Sequence, residues 1–269
     1  MAILCSTSAF KGSLDEALDR TAALGFGEVD LIAIPSWNHV VPAALADGFA
    51  AEAERIESLL RRRGLRARAM NLAVRNLHER SDAGRNAQRR AEVEAVARLM
   101  RRLDVGVCSF YPGYLAAGRP WEDVLRDELA SVGEILDIGR SAGVTFAVEP
   151  HAQTPFQTVD EVRRLLAAAP GLPVAYDPSH FVMQGLDLRT TEEFLDRTVH
   201  VHLRDAAPGA MQAPWGAGGV DLDWLLGALD RRGYRGHFSI EYLPGLPDVE
   251  SQIRRVRECL AAALPGGAP

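Results

Sequence analysis

Residues 121–151 read WEDVLRDELASVGEILDIGRSAGVTFAVEPH and contain one helix followed by one strand. The first part, 121–142, carries apolar residues at a spacing close to 3.6, which predicts an amphipathic helix. Gly143 follows, as is typical of a helix end that needs a left-handed residue. The short apolar run 144–149 then predicts a strand buried on both faces. This stretch indicates an α/β fold with a parallel sheet.

The same alternation of strand and helix continues through almost the whole chain of 269 residues. The predicted strands are 2–8, 29–34, 65–70, 104–109, 144–149, 173–177, 199–203 and 237–241. The predicted helices are 13–24, 42–63, 84–102, 121–142, 158–168, 190–196, 221–231 and 248–263. Eight strands that alternate with eight helices favour a sheet that closes into a barrel. About 250 residues is the usual size of such a barrel. We therefore predict an α/β protein with a single (β/α)8 TIM-barrel domain over residues 1–269, in which 265–269 form a frayed tail.

Composition and charge disfavour several classes of protein. A net charge of −6 and a pI of about 5.7 argue against a general nucleic-acid binder, which normally shows a basic face. No run of about 18 apolar residues predicts a membrane span, and the N-terminus lacks the pattern of a signal peptide. The cysteines, Cys5, Cys108 and Cys259, are too far apart for a disulfide framework or a zinc ribbon. We expect a cytoplasmic protein, and exposed apolar helix surfaces leave a homo-oligomer open.

Carboxylates and imidazoles occur at the ends of the last four predicted strands. Glu149 ends the fifth strand, Asp177 the sixth and Glu241 the eighth, while His200-Val-His202 lies in the seventh. Because the C-terminal strand ends form the active-site face of such a barrel, these side chains are expected to meet at one rim. Each motif alone is common as a helix cap or a satisfied core residue. Four of them in register on neighbouring strands are not explained in that way.

Three carboxylates that converge on one point repel one another, and a divalent cation would remove that penalty. The set offers carboxylate oxygens and an imidazole nitrogen, but no thiolate. Such donors suit Mn²⁺, Mg²⁺ or Co²⁺, and they also admit Zn²⁺. We therefore predict one bound divalent cation, with Mn²⁺ as the first choice.

These residues resemble the xylose-isomerase-like sugar isomerase/epimerase superfamily, which also includes endonuclease IV. The resemblance covers nearly the whole chain and is carried by Ala22–Leu31, Glu149, Asp177-Pro-Ser-His180, His200-Val-His202-Leu-Arg-Asp205, Trp215–Asp221 and Glu241. It implies that Glu149, Asp177, His202 and Glu241 bind the metal and that His180 and Arg204 lie beside the substrate. It also implies isomerisation or epimerisation of a small sugar or keto-sugar, in which Glu149 and Glu241 move protons.

Such a reaction removes a proton beside a carbonyl group, which a metal ion assists by stabilising the developing enediolate. A glutamate takes the proton, and the same or the opposite glutamate returns it. His180 is predicted to contact a substrate hydroxyl or to shuttle a proton, with a purely hydrogen-bonding role as the alternative. Arg204 is predicted to hold a substrate oxygen, or else to pair with Asp205. His151 is a further candidate for substrate binding, and His200 is expected to be a buried core residue.

Residues after the remaining strands are expected to line the sugar pocket, since aromatic rings suit the apolar C–H faces of a sugar. The candidates are Trp37, His39, Arg75, Tyr111 and Trp215. The run Gly216–Gly219 either cradles a phosphate through its backbone N–H groups or forms a flexible lid, and both interpretations stay open.

The chain departs from the endonuclease branch of the superfamily at two places. Phe110-Tyr111-Pro112-Gly113 has a tyrosine where endonuclease IV-like members have a histidine, and Val220-Asp-Leu-Asp223 lacks the histidine of an Asp-x-His motif. A three-metal, DNA-cleaving site is therefore disfavoured. A lyase, a dehydratase or another bond-cleaving enzyme on the same scaffold remains the main alternative, followed by a non-catalytic sugar-binding protein. Asp30 lies inside the predicted second strand and is given no catalytic role.

Overall fold

The computed structural model describes residues 1–115 and 117–264, and its main sheet is a closed barrel of eight parallel strands. The barrel strands are β1 (Ile3–Ser6), β2 (Glu28–Ala33), β3 (Arg66–Leu72), β4 (Val107–Phe110), β5 (Thr145–Val148), β6 (Val174–Tyr176), β7 (Thr198–Leu203) and β10 (Phe238–Ile240). The helices are α1 (Leu14–Ala23), α2 (Pro42–Arg62), α3 (Ala83–Leu103), α4 (Trp121–Ala142), α5 (Val159–Ala168), α6 (Ser179–Val182), α7 (Leu222–Arg231) and α8 (Val249–Ala263). β10 pairs with both β7 and β1, which closes the barrel. The predicted (β/α)8 TIM barrel is confirmed.

Two local features differ from the prediction. The segment expected to be a helix over 190–196 is a 3₁₀ helix, Leu188–Arg197, in which the hydroxyls of Thr190 and Thr191 donate to carbonyls three residues earlier. Hydroxyls that bond locally in this way compete with regular α-helical geometry. After β7 the chain forms an unpredicted antiparallel hairpin of β8 (Asp205–Ala207) and β9 (Ala210–Ala213). Its strands are short and rich in alanine, which has low β-propensity.

Several helices begin or end at residues that are typical of helix caps. α1 and α5 begin with capping boxes formed by Ser13 with Glu16 and by Thr158 with Glu161. α4 ends at Gly143, whose φ of 68° is the left-handed conformation that glycine adopts without strain. The predicted frayed tail, 265–269, lies outside the described residues. Over the two described ranges, the helices all fall short of the length and apolar character that a membrane crossing requires.

The interior of the barrel is layered because side chains alternate along each strand. A small apolar cluster at the lower level is made by Leu4, Ala69, Val107, Ala147 and Ala175. Two residues further along four of these strands, in the same inward direction, come the polar side chains Asn71, Ser109, Glu149 and Asp177. The barrel therefore has an apolar floor with a buried polar layer above it, at the C-terminal rim.

Candidate active site

Glu149, Asp177, His202 and Glu241 meet at the C-terminal rim of the barrel, and we call them the four-residue cluster. Each offers one ligand atom, and these atoms all lie within 4.8 Å of one another. Nδ1 of His202 is 2.9 Å from Oε1 of Glu149 and 3.2 Å from Oε2 of Glu241. All four side chains are buried. The structure therefore brings together the residues that the sequence proposed as ligands.

Arg204 is the one guanidinium that contacts this cluster within the described ranges. Its Nη2 lies 2.8 Å from Oδ2 of Asp177, and its Nη1 lies 3.2 Å from Oε2 of Glu241. Its Nε donates to Oγ of Ser179 at 3.0 Å. The alternative pairing of Arg204 with Asp205 is therefore wrong. Arg204 and a protonated His202 supply at most two positive charges against three carboxylates, so the cluster carries a surplus of negative charge when all three are ionised.

The carboxylates of the cluster have very different proton affinities. Burial raises the pKa of Glu149 to about 7, against the opposing pull of His202, and burial likewise raises the pKa of Asp177. Burial also acts on Glu241, but His202 and Arg204 outweigh it and lower the pKa to about 2. For His202 the two glutamates outweigh burial and raise the imidazole pKa well above its ordinary value. These opposed shifts are the electrostatic penalty that a bound cation would relieve.

The donor atoms of the cluster fit a divalent cation. Oδ2 of Asp177 forms an ion pair with Nη2 of Arg204 at 2.8 Å. The geometry of this contact is not that of a hydrogen bond, and Oδ2 accepts none from the described residues. Three carboxylates and one imidazole, without a thiolate, form a donor set suited to hard or borderline divalent metals. The cluster could therefore hold a metal ion, and its charge balance favours one.

A cavity of about 460 Å³ lies above the cluster. Its floor is polar and includes Asn71, Glu149, His180, Arg204 and Glu241. Its wall is largely apolar and aromatic, made by Ile32, Ile34, Trp37, Val74, Tyr111, Tyr114, Met211 and Leu243. A mostly apolar cavity of this size with a few convergent polar groups is typical of a small-molecule site.

The family model described as xylose isomerase-like TIM barrel matches residues 18–261 of the chain. The chain belongs to this family. A search of curated protein sequences finds no significant match.

Several solved structures are similar to this xylose isomerase-like barrel. A 3-keto-D-glucoside 4-epimerase from E. coli is 14% identical, with 97% of this chain and 99% of that chain covered and a TM-score of 0.75. A D-allulose 3-epimerase from Methylomonas sp. in complex with D-allulose is 15% identical, with 98% and 97% covered and a TM-score of 0.76. The IOLI protein with a bound zinc atom is 17% identical, with 97% of each chain covered and a TM-score of 0.71. At these identities the likeness establishes a shared fold.

Most of the residues predicted to contact substrate line the cavity of this xylose isomerase-like barrel. His180, on its floor, is one of them. Trp37, Tyr111, His151 and Arg204 all line it. The rings of His151 and His180 lie 3.6 Å apart between centroids, and Tyr111 packs edge-on against His151 at 4.9 Å. Arg75 lines the cavity as well. Their positions are compatible with substrate contact, which stays a prediction.

Two predicted wall residues lie elsewhere. Trp215 is 8% exposed, and its Nε1 donates to Sγ of Cys259 on α8 at 3.2 Å. The prediction that Trp215 lines the pocket is wrong, because the unpredicted hairpin β8–β9 precedes it and brings Met211 to the cavity instead. His39 is fully buried outside the cavity wall, and burial lowers its pKa to about 4.

The glycine run after the hairpin is held by a carboxylate of the chain itself. Oδ2 of Asp205 accepts hydrogen bonds from the backbone N–H groups of Gly216 at 2.8 Å and Gly218 at 2.9 Å. Its Oδ1 accepts from Val220 at 3.2 Å. A Cβ at Gly218 would lie 2.2 Å from Oδ1 of Asp205, so this approach requires glycine. The phosphate-cradle interpretation is therefore wrong, since those N–H groups are already used.

Replacing Asp205 by alanine is expected to destabilise the protein, because the loop N–H groups lose a charged acceptor. Hydrogen bonds of this kind suggest a loss of about 3 kcal/mol in the free energy of unfolding, or a fall in Tm of about 6–12 °C. Thermal denaturation followed by circular dichroism measures the change. Asp223→Ala, at an exposed position on α7, is the control and should leave Tm nearly unchanged. An unaltered Tm in Asp205→Ala would show that the loop does not depend on this carboxylate.

Two buried polar residues at the site were not assigned from the sequence. Nδ2 of Asn71, on β3, donates to Oε1 of Glu241 at 2.7 Å. Asp30, on β2, places Oδ2 3.4 Å from Nε2 of His202 and 3.6 Å from Nε2 of His200. Each follows charged residues at the start of its strand, Glu28 in β2 and Arg66 and Arg68 in β3, so an isolated polar residue does not mark either one in the sequence. His200 itself is fully buried, as expected, with Nε2 2.9 Å from Oγ of Ser239.

Proposed function

We propose that this protein is a divalent-metal-dependent epimerase or isomerase of a small sugar or keto-sugar. The observation that carries the proposal is the pair Glu149 and Glu241, which both contact Nδ1 of His202 and line the same cavity. In the barrel, β6 and β7 separate β5 from β10, so the two carboxylates reach the cavity from different sides. Such a pair suits epimerisation, because one carboxylate can take a proton from one face of a carbon while the other delivers a proton to the opposite face.

We propose Glu149, Asp177, His202 and Glu241 as the ligands of one divalent cation. Mn²⁺ is the first choice, with Mg²⁺, Co²⁺ and Zn²⁺ as alternatives. The surplus of negative charge and the oxygen-rich donor set support this assignment. When bound, such a cation polarises a carbonyl and stabilises the negative charge that develops on its oxygen.

The side chains of the protein then carry the proton. One of Glu149 and Glu241 takes the proton from the carbon beside the carbonyl, acting as a general base. For epimerisation the other glutamate returns a proton to the same carbon, whereas for isomerisation a proton is delivered to the former carbonyl carbon. Both carboxylates line the cavity.

Arg204 and His180 prepare the cavity floor for the substrate. All three nitrogens of Arg204 contact protein groups, including Nε2 of His180 at 3.1 Å. Arg204 therefore holds Asp177, His180 and Glu241 in position. We assign it this positioning role in preference to direct substrate binding. His180 is buried beside the cluster and lines the cavity. We propose that it contacts a substrate hydroxyl.

The similar solved structures support a sugar as the substrate. Their names include a D-tagatose 3-epimerase-like protein and an L-ribulose 3-epimerase, alongside the 3-keto-D-glucoside 4-epimerase and the D-allulose complex. The aromatic wall around Trp37 and Tyr111 suits the apolar C–H faces of such a molecule. The zinc named in the IOLI structure supports a metal in this type of barrel.

Replacing Trp37 by alanine is expected to raise KM about tenfold while kcat changes little. Its indole lines the cavity and is fixed by a hydrogen bond from Nε1 to the carbonyl of Ser8 at 2.9 Å. Loss of a contact made equally in the ground state and the transition state acts on KM alone. Trp224→Ala on α7, outside the cavity, is the control. A fall in kcat with unchanged KM would contradict a simple binding role for Trp37.

Product analysis tests the proposed reaction. The Mn²⁺-loaded protein is incubated with a panel of pentuloses, hexuloses and keto-glycosides, and the products are separated by chromatography. An epimer or an aldose–ketose isomer of at least one substrate is expected. Dehydrated or cleaved products would instead support the lyase alternative, and a panel without any conversion would contradict the proposal.

A further inference from the structure

Asp30 lies beneath the four-residue cluster, inside the barrel, and the proposed reaction does not use it. Its side chain is 0% exposed. Ile32 and Ile34, which follow it at alternate positions, line the cavity above it. Asp30 therefore belongs to the inward-facing column of β2, one level below the site. A carboxylate buried this deeply is costly unless a specific partner compensates for the lost water.

Two imidazoles lie next to Asp30. Its Oδ2 lies 3.4 Å from Nε2 of His202 and 3.6 Å from Nε2 of His200. His200 already has a partner, since its Nε2 lies 2.9 Å from Oγ of Ser239. Nε2 of His202 has no hydrogen-bond partner in the described part of the chain, and neither has Asp30. A shift of about 0.3 Å brings this pair of atoms within ordinary hydrogen-bond distance.

The two ring nitrogens of His202 face different environments. Nδ1 faces the cluster, 2.9 Å from Glu149 and 3.2 Å from Glu241, whereas Nε2 faces Asp30. A neutral imidazole carries one N–H and one free lone pair, and a metal requires the lone pair. The nitrogen that faces the cluster must therefore be the one without a proton when a cation is bound.

We propose that Asp30 is a positioning residue for the metal site: it accepts the Nε2–H of His202 and so keeps the Nδ1 lone pair directed at the cation. This inference rests on the proposed metal site and not on the proposed reaction. A carboxylate in this place fixes the tautomer and the orientation of the ring, and it also makes the imidazole a stronger donor. Its loss typically weakens metal affinity by about 10–100-fold.

Metal binding measured without substrate tests the inference. The dissociation constant of Mn²⁺ is obtained from the electron paramagnetic resonance signal of free Mn²⁺, for the wild type, Asp30→Ala, Asp30→Asn and Asp205→Asn. We expect Asp30→Ala to raise the Kd about 10–100-fold and Asp30→Asn to raise it less, since its amide oxygen can still accept a hydrogen bond. Asp205→Asn alters an equally buried carboxylate that contacts the glycine loop, and it should leave the Kd unchanged. Asp30→Asn is nearly isosteric and keeps the test valid if the alanine variant does not fold.

Nitrogen NMR of the Zn²⁺-loaded protein gives an independent result. His202 is expected to carry its proton on Nε2 and none on Nδ1, and its ring is identified as the one whose Nδ1 signal shifts when Zn²⁺ is added. A proton on Nδ1, or wild-type Mn²⁺ affinity in both Asp30 variants, would overturn the inference. A wild type that binds no Mn²⁺ would overturn the metal site together with it. Intact metal binding without sugar conversion would contradict only the proposed reaction.

Discussion

Glu149→Gln is expected to lower kcat by about 10²–10⁴-fold, the usual contribution of a general acid–base residue. Glutamine keeps the shape of the side chain and one oxygen that can face a cation, but it does not accept a proton at neutral pH. Glu241→Gln is expected to have a comparable effect, since it removes the second proton carrier. KM should change much less than kcat in both variants, because the lost interaction operates in the transition state. Steady-state kinetics at saturating Mn²⁺ measures these changes.

Glu128→Gln is the matched control for both substitutions. Glu128 is a fully buried carboxylate on α4 that contacts Nδ1 of His78 at 3.2 Å, away from the cavity. Its replacement should leave kcat close to the wild-type value. If Glu149→Gln and Glu241→Gln both retain full activity with metal bound, neither residue is a proton carrier.

Replacing a single proposed metal ligand is expected to have a large effect on metal binding. Asp177→Ala and His202→Ala should each lower bound metal well below one ion per chain, and activity should be lost with it. Each substitution takes away one donor atom, and Asp177→Ala also removes one of the negative charges that favour a cation. The metal content after dialysis is measured by elemental mass spectrometry. Chelation of the metal from the wild type should abolish activity, and adding the metal back should restore it.

His237→Ala provides the control for ligand removal. Nδ1 of His237 accepts a hydrogen bond from the backbone N–H of Ala2 at 3.1 Å, at the opposite end of the barrel. This variant should keep one metal ion per chain. Full metal occupancy in both Asp177→Ala and His202→Ala would show that the ligands are not those proposed here.

The four-residue cluster was accessible from the sequence for a physical reason. Glu149, Asp177 and Glu241 each follow a short apolar strand, and in a parallel barrel all such strand ends lie at one rim. Alternation within β7 places His200 and His202 on the same face. Strand spacing together with alternation is thus sufficient to predict that these groups meet.

Asp30 and Asn71 were harder to predict because barrel strands are apolar on both faces. In β2, Val29, Asp30 and Leu31 are all fully buried, and the sequence has no simple marker for which of them face the inside of the barrel. Only the contacts with His202 and Glu241 reveal their part in the site.

Loop residues show the other limit of sequence-based prediction. Trp215 and the glycine run follow β7, as substrate-binding loops of barrels do, yet the hairpin β8–β9 turns that segment away from the cavity. The anchoring of the loop by Asp205 depends on contacts across 11 to 15 residues. Such tertiary contacts are not encoded in a local pattern.

Deuterium incorporation at the reacting carbon tests whether Glu149 and Glu241 carry the proton. A sugar that the protein converts is incubated in D₂O with the Mn²⁺-loaded wild type, and the carbons beside the carbonyl are followed by NMR. We expect deuterium at the carbon whose configuration or oxidation state changes, and we expect the double variant Glu149→Gln/Glu241→Gln to lose this exchange. Conversion without deuterium, or undiminished exchange in the double variant, would contradict proton transfer by these two glutamates.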